Sequence, residues 1–534
     1  MRKLLNWFDE NILYFLAGFL LVFIPLYPKW PLFDILPGYI VRVRLEDFLV
    51  FLVFILWLVQ ILRKKISFKL NLISKAIIVY LLIGFLSSLS AIFISKTVPL
   101  ELIHVGKIFL HYLRRIEYMS LFFIFSTSIT SIKQVKKLIL IIGITLIALV
   151  IYGAGQKYLQ WPVYSTMNRE FAKGWRLVLT PHARVPSTFA GHYDLAAYLM
   201  FFSTIFASLT IFITEKSLKK FFFAVFILSL ILLNFTASRS SFIAYIIGIT
   251  ISMVIFSKIK NPSWSITRYL FLIIISVFIM FSFGDLSERF SNLIKINLLS
   301  DYIKYNLLGF KKENYRYLNL TQDLSLVYSR SDQPPVKAEE KSQGKEPSSV
   351  QLPGDVYEDI PLPIQVEDVE TAGEGKKFVI KKRVYSPAAF TFGLSSAIRL
   401  DALWPMAIDG FLKNPILGSG YSTLNKEKFE HFSFAESTDN DYLRSLGETG
   451  ILGFLSFYSI LGLFIYLSLK NLRKLKDPLL IALLVGIIGG TFGMLVNAVY
   501  IDVFEASKVA FTFWALLGIS VAIMDFNKGS LKKL

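Results

Sequence analysis

The sequence contains no cysteine. Disulfide bonds, thiolate nucleophiles and zinc sites built on thiolates are therefore excluded. Histidine is also scarce, with 5 residues in 534, and no histidines and carboxylates show the spacing of a metal site. The acidic run at 355–370 is irregular and is interpreted as solvated loop. We therefore expect neither a metal nor another cofactor.

Acidic residues are fewer than basic ones, 38 against 57, which leaves a net charge of +19. A large positive charge can indicate a nucleic-acid partner. Here most of the basic clusters lie between long apolar segments, which is typical of the loops of a membrane protein. We expect the lipid bilayer as a partner and no nucleic acid.

Long polar stretches are rare. Hydrophobic residues make up 54% of the chain and the mean hydropathy is +0.56. A chain of this composition has more apolar surface than a soluble fold can bury. The predicted fold class is an all-α polytopic membrane protein with about twelve spans of ~20 residues. The predicted spans are 11–27, 46–62, 72–95, 107–128, 137–154, 192–214, 220–236, 239–257, 268–284, 450–469, 478–499 and 508–525.

Basic clusters begin the chain and follow every second span, from Arg63–Lys65 after the second to Lys470–Lys476 after the tenth. Cytoplasmic loops are the ones enriched in Lys and Arg, so both termini are predicted to be cytoplasmic. The loops at 155–191 and 285–449 then lie outside the membrane, on the other side.

The predicted spans divide the chain into three parts. Residues 1–284 hold the first nine spans with the external loop 155–191, residues 285–449 form a large external loop, and residues 450–534 hold the last three spans. Within the large loop, residues 331–376 are rich in Pro, Glu, Gly, Ser and Lys. This composition predicts a flexible insert.

A polar stretch from Arg399 to Gly453 stands between very apolar regions. Arg399 opens a helical pattern in which Pro405 predicts a kink or a split. Asn414–Gly420 reads as a turn, Ser437–Asn440 as a helix N-cap, and the helix that follows continues into a span. A polar, glycine-rich connector that carries charges beside a membrane suits an anionic, membrane-tethered substrate.

These motifs, with the sequence Glu448–Gly453 entering a span, resemble the O-antigen ligase and polymerase family. The similarity runs roughly from Arg184 to Ile465, interrupted by the insert. The family consists of bacterial envelope glycosyltransferases of the GT-C type. The resemblance implies an inner-membrane enzyme that moves a glycan from a polyprenyl-diphosphate donor to an acceptor hydroxyl on the outer side. The acceptor stays open: another lipid-linked glycan for a polymerase, a lipid A core for a ligase, or a protein for an O-glycosyltransferase.

Three arginines match family positions. They are Arg184, Arg239 in the short Thr236–Ser241 turn, and Arg399, with Lys413 and Tyr421 as weaker companions. The resemblance implies that they bind the diphosphate, for which a guanidinium offers two parallel donors. The alternative is an interfacial arginine that pairs with lipid headgroups.

The family usually carries a histidine in a polar triplet, which in this chain is Thr438–Asn440. The matching position here is Asp439. A carboxylate here is a candidate base for the acceptor hydroxyl, with Glu436 as a substitute. The alternative is a helix N-cap, which also suits Asn440. His192 and Asp194 stand where the family has asparagines, and both are secondary candidates.

Two other protein classes fit part of the pattern. Twelve spans also suit a secondary transporter, but carriers place charges and broken helices at the midplane and often have repeated halves. Here the polar residues gather in external loops and no repeat is evident, which favours the enzyme. A structural scaffold or sensor would not need three arginines at separate external turns.

Overall fold

The computed structural model describes residues 2–33, 35, 42–66, 68, 70–166, 171–180, 183–283, 364–367, 378–381, 399–424 and 437–530. All of them belong to one compact unit, which comprises residues 1–286 and 359–534. Most of the predicted insert 331–376 lies outside the described residues.

Twelve long helices in the described part of the chain coincide with the twelve predicted spans. They are α1 Arg2–Leu26, α2 Leu45–Leu62, α3 Leu72–Phe93, α4 Leu102–Ser128, α5 Ile132–Tyr158, α6 His192–Phe212, α7 Lys216–Phe235, α8 Arg239–Ile259, α9 Pro262–Ser282, α11 Asp441–Leu472, α12 Pro478–Asn497 and α13 Ser507–Ser530. The shorter α10, Trp404–Lys413, precedes α11.

Ten of the twelve are long and apolar enough to cross a membrane. The other two are α1, whose apolar stretch is limited to Asn11–Leu26, and α4, which carries Lys107, Arg114, Arg115 and Glu117. The prediction of an all-α polytopic membrane protein is confirmed.

The centre of the bundle is the pair α6 and α12. Every residue in the apolar window of α6 is buried, and α12 packs against both α6 and α8. Small residues on α12 permit this close approach, because a Cβ on Gly486 would lie 2.7 Å from Cα of Ile205 and one on Gly489 would lie 2.5 Å from the oxygen of Gly248. Small residues at helix contacts are the usual means of tight packing inside membranes.

One end of the bundle carries the α1–α2, α5–α6, α7–α8, α9–α11 and α12–α13 connections; we call it the long-loop end. Lys508, in the first turn of α13, joins the end of α1 to the α1–α2 and α5–α6 connections. Its ammonium group donates to the carbonyl oxygens of Pro25, Tyr27 and Thr188 at 2.9, 2.6 and 2.7 Å. All three donors of the buried ammonium are thereby satisfied, and the end of α1 is tied to α13.

The segment before α11 contains the remaining elements. A π-helical turn spans Arg399–Leu403, and α10 starts at Trp404 with Pro405 in its first turn, so the proline splits the predicted helix. Strands β1, Ile364–Glu367, and β2, Phe378–Lys381, form an antiparallel pair. β1 lies inside the predicted insert.

Candidate active site

Helix α11 is broken at Gly450, and the turn Asn414–Gly420 fills the break. Gly450 has φ 65° and ψ −168°, outside helical values. Four backbone hydrogen bonds join the two segments: Ser419 N to Gly447 O at 2.9 Å, Gly420 N to Glu448 O at 2.9 Å, Ile451 N to Pro415 O at 2.9 Å, and Leu452 N to Ile416 O at 3.3 Å. The two glycine-containing motifs therefore form one structural unit.

Close backbone contact explains the glycines in this unit. A Cβ on Gly450 would collide with the backbone of Ile416, and a Cβ on Gly418 with the backbone of Glu448. Both glycines also have positive φ, 65° and 72°, which other residues adopt at a cost.

Asp502, in the α12–α13 connection, holds the polar triplet in place. Its carboxylate accepts from the backbone N–H of Thr438 at 3.0 Å and of Asn440 at 2.8 Å. It also accepts from the Ser437 hydroxyl at 2.7 Å and pairs with Arg444 at 2.8 Å. The loop that carries the predicted base is thus fixed by a carboxylate more than 60 residues further along the chain.

Arg399 and Asp439, predicted for different roles, form an ion pair of 2.9 Å. Arg399 also donates to the carbonyl oxygen of Tyr500 at 3.1 Å. The other carboxylate oxygen of Asp439 lies 2.7 Å from the Ser437 hydroxyl, whose single proton it shares with Asp502, and Asp439 has φ 49°, a left-handed conformation. Burial raises the pKa of Asp439, the nearby Asp502 carboxylate adds to the increase, and Arg399 opposes it.

A cavity of about 690 Å³ opens beside this loop at the long-loop end. One wall is apolar and comes from α2 and α4, with Phe51, Phe54, Leu110 and Leu113. Phe51 and Leu113 are also exposed on the outside of the bundle, by 61% and 54%. The cavity wall is therefore continuous with the surface that faces lipid.

The opposite side of the cavity is charged. The cations that line it are Lys29, Arg42, Arg44, Arg114 and Arg444, and the carboxylates are Asp47, Glu117, Asp194 and Glu505. Most of the cations have a carboxylate partner: Lys29 pairs with Glu46 at 2.7 Å, Arg114 with Asp47 at 2.6 Å, and Arg444 with Asp502.

Arg44 has a weaker carboxylate contact than these neighbours. It is 9% exposed, and its carboxylate contact, to Glu46, is long at 3.8 Å. Among the residues that the structure describes, none accepts a hydrogen bond from Nε of Arg44. A buried guanidinium with an unused donor can bind an anion in the cavity.

Behind the cavity, Arg115 and Arg444 share Glu448. Arg115 pairs with Glu448 at 3.0 Å and with Glu505 at 2.6 Å. Glu448 also contacts Arg444 at 3.4 Å and accepts from the Ser422 N–H at 3.0 Å. Burial raises the pKa of Glu505, and Arg115 opposes the increase. This junction ties α4, α11 and the α12–α13 connection to the wall of the cavity.

The three predicted arginines lie at the long-loop end but are not among the described residues that line the cavity. Arg399 pairs with Asp439, and Asp439 contacts Ser437, which lines the cavity. Arg184 contacts His192 at 2.8 Å and the Tyr193 hydroxyl at 3.0 Å, immediately before the lining residue Asp194.

Arg239 is the first residue of α8. The same turn of helix contains Ser241, which bonds Asn497 at the end of α12. Arg399 bonds the carbonyl of Tyr500, three residues beyond Asn497. Shared contacts thus connect the segments that carry Arg239 and Arg399, while their joint action on one diphosphate stays a prediction.

The other predicted residues have defined places. Tyr421 is 2% exposed and lies 4.1 Å below the guanidinium of Arg115, so it supports the junction behind the cavity. Asn440 is the N-cap of α11 and accepts from Leu443 N–H at 3.0 Å. Lys413 ends α10. Glu436 lies outside the described residues.

The residues that sequence reasoning missed are Lys29, Arg44 and the charges on α4 and α11. A signal was present for part of this set, because Arg114, Arg115 and Glu117 weaken the fourth predicted span, and charges within a span are costly unless they serve a purpose. Lys29 and Arg44 gave no such signal, since they lie in a connection between spans, where a charge that faces water costs little.

Fold and site together define a multi-pass helical membrane protein with a charged cavity at one end of its bundle. The family model described as O-antigen ligase matches residues 224–458. Over this range the chain is similar to the O-antigen ligase family, which confirms the predicted resemblance. This family indicates a membrane enzyme of the glycosyltransferase type. The matched range contains Arg239, Arg399 and Asp439.

No curated protein sequence matches the chain at a significant level. The cavity residues Lys29, Arg44, Arg114 and Asp194 precede the range matched by the family model. The cavity is therefore built jointly by the family domain and by the helices before it.

Proposed function

We propose that the protein transfers a glycan from a polyprenyl-diphosphate donor to an acceptor hydroxyl on the outer side of the bacterial inner membrane. One observation carries this proposal: a single cavity of about 690 Å³ joins an apolar, lipid-facing wall to a group of buried cations. A lipid diphosphate has the same two parts. Its chain suits the wall at Phe51 and Phe54, and its diphosphate suits Arg44 and Lys29.

The cations would act on the leaving group. When the acceptor oxygen attacks the anomeric carbon, the bond from that carbon to the phosphate oxygen breaks and negative charge grows on the diphosphate. Fixed cations in a water-poor site stabilise such charge strongly. Arg44 suits this task because it is buried and retains an unused donor, so we propose that side chains and not a metal carry it out.

Arg184, Arg239 and Arg399 remain proposed diphosphate-binding residues. Arg184 and Arg399 are supported by contacts to residues at the edge of the cavity. Arg239 is supported by its place at the same end of the bundle. Inversion at the anomeric carbon is expected from the family. The absent triplet histidine favours another lipid-linked glycan as the acceptor, which would make the protein a polymerase.

The test is transfer by the purified full-length protein in proteoliposomes that contain a polyprenyl-diphosphate glycan. We expect release of polyprenyl diphosphate together with a longer or newly attached glycan. Arg44→Ala should lower the rate on the order of 100-fold. Arg44→Lys should restore only part of it, because it keeps the charge without the fork of donors. Arg473→Ala, an exposed position at the other end of the bundle, is the matched control.

The acceptor that is used distinguishes the three possible activities. Transfer to a second lipid-linked glycan indicates a polymerase, to a lipid A core a ligase, and to a protein a protein glycosyltransferase. Movement of the intact donor across the membrane without diphosphate release would instead indicate a transporter. Normal transfer by Arg44→Ala would remove the cavity as the donor site, and normal transfer by Arg239→Ala would remove Arg239 from it.

A further inference from the structure

Asp194 differs from the other carboxylates that line the cavity. Asp47 and Glu117 both pair with Arg114, at 2.6 and 3.3 Å, and Glu505 pairs with Arg115 at 2.6 Å. In the described part of the chain, no residue forms a hydrogen bond or a close ion pair with the Asp194 side chain. It is thus a cavity carboxylate that has no hydrogen-bond partner among the described residues.

Asp194 owes its position to the fold. It lies in the first turn of α6, after the N-cap Gly191, on the helix at the centre of the bundle. The charged groups that interact with it at longer range come from the α1–α2 connection, the segment before α11 and α13, and are Lys29, Arg44, Asp439 and Lys508. Lys29 and Arg44 are the proposed diphosphate cations, so Asp194 stands near the bond that would break.

Asp439, the base predicted from the sequence, has a different environment. Its two carboxylate oxygens are engaged by Arg399 at 2.9 Å and by the Ser437 hydroxyl at 2.7 Å. Among the described residues that line the cavity, Ser437 is present and Asp439 is not. Asp439 is therefore held by two partners and lies outside the described lining of the cavity, whereas Asp194 lies within it.

We propose that Asp194 is the general base that accepts the proton of the acceptor hydroxyl. This inference rests on the proposed function. In the step, the acceptor O–H proton moves to an Asp194 oxygen while the acceptor oxygen forms a bond to the anomeric carbon. The bond between that carbon and the phosphate oxygen breaks, and its electron pair leaves with the polyprenyl diphosphate. Asp194 then returns the proton to water or to the released diphosphate.

The experiment compares Asp194→Asn, Asp194→Glu and Asp439→Asn in the proteoliposome assay. A general base contributes about 10²- to 10⁴-fold. We expect Asp194→Asn to lose kcat by that factor with little change in the KM for the donor. Asp194→Glu should recover part of kcat. Asp409→Asn, which removes an exposed carboxylate on α10 outside the cavity, should behave as the wild type.

The pH profile adds a readout that a structural role would not move. In the wild type, kcat should fall at acid pH as the base is protonated. The residual kcat of Asp194→Asn should no longer show this fall. Membrane levels and thermal midpoints of all variants show whether each is folded. Should Asp194→Asn be poorly folded, the kcat and pH profile of Asp194→Glu decide the question, because a base with a displaced carboxylate changes both.

Several outcomes overturn the inference. Full kcat in Asp194→Asn excludes Asp194 as the base, and a large loss in Asp439→Asn alone assigns the role to Asp439. A rise in KM with unchanged kcat would make Asp194 a glycan-binding residue. These results all require transfer by the wild type. Absence of wild-type transfer would overturn the proposed function itself, and this inference with it.

Discussion

Individual charges near the cavity are stabilised by partners from distant parts of the chain. Arg115 on α4 is 4% exposed and meets Glu448 of α11 and Glu505 of the α12–α13 connection. Removal of one member of a buried ion pair typically costs ~3–5 kcal/mol, because the other charge is left buried and unpaired. These contacts therefore fix the cavity wall, and their residues tolerate little change.

The ionisation of Asp439 should be visible in the stability of the protein. Burial and the Asp502 carboxylate raise its pKa despite Arg399. The folded-state pKa of Asp439 exceeds the unfolded value of about 3.9. Protonation of Asp439 therefore makes its full contribution to the free energy of unfolding below that pH. This contribution is lost as pH rises through the folded pKa. Asparagine cannot ionise, so the Tm of Asp439→Asn minus that of the wild type should become more positive above about pH 4.

Thermal unfolding in detergent across this pH range provides the measurement. At any one pH, the Tm difference between the two proteins also includes the effect of the lost contact to Arg399. The change of this Tm difference with pH is therefore the informative quantity. A difference that falls as pH rises would mean that the Arg399 contact outweighs burial and that the Asp439 pKa is lowered.

At the level of elements, the break in α11 is the feature that organises the site. The turn Asn414–Gly420 supplies hydrogen-bond partners to the backbone on both sides of Gly450. In a membrane, every such backbone group needs a partner inside the protein. The break also places Glu448 where it contacts Arg115 and Arg444. The helix interruption and the arrangement of buried charges thus depend on each other.

Gly450→Ala should therefore be far more damaging than an ordinary glycine substitution. An L-residue at the φ and ψ of Gly450 costs about 1–3 kcal/mol, and the new Cβ would also collide with the backbone of Ile416. We expect a lower thermal midpoint and a loss of transfer activity.

Gly462→Ala is the matched control on the same helix, since nothing lies within 4 Å of its added Cβ. It should be neutral or slightly stabilising, because alanine favours a helix by up to ~1 kcal/mol over glycine. Equal effects of the two substitutions would show that the break at Gly450 is not required.

At the level of the whole molecule, the two ends of the bundle differ in charge and in content. The cavity and its loops lie at the long-loop end. Basic residues of the predicted cytoplasmic loops lie at the other end, where Arg63 and Lys65 pair with Asp9 and Lys136 pairs with Asp477. Cytoplasmic loops are enriched in such residues. The cavity is thus expected to open on the outer side, with both termini in the cytoplasm.

The absence of cysteine makes this orientation directly measurable. We expect Trp175→Cys, at a position 53% exposed in the α5–α6 connection, to react with a membrane-impermeant maleimide in intact spheroplasts. Lys474→Cys, at an exposed position between α11 and α12, should react only after permeabilisation. The wild type is an unreactive control, and the reverse pattern would invert the proposed orientation.

Much of the architecture could be predicted from sequence because it depends on local properties. Each span is an apolar run whose length matches the membrane, and no distant residue is needed to recognise it. Pro405 likewise divides the helix that was predicted from Arg399 onward, because the proline ring removes a backbone donor. The family motifs were recognised for the same reason, since each is a short run of residues. Their mutual hydrogen bonds were not predicted, because they join residues about 30 positions apart.

The sequence by itself determined that this is a helical membrane protein, where its apolar helices lie and which family it resembles, because hydrophobic length and short motifs are properties of neighbouring residues. Only the tertiary structure decided which charges meet. Arg399 and Asp439 were assigned separate roles from sequence, yet they form one ion pair. Lys29 and Arg44, in the α1–α2 connection, and Asp194, at the start of α6, reach the same cavity through the packing of the helices. A cation in an isolated loop costs little, and it becomes a candidate ligand-binding group only when the fold buries it beside others.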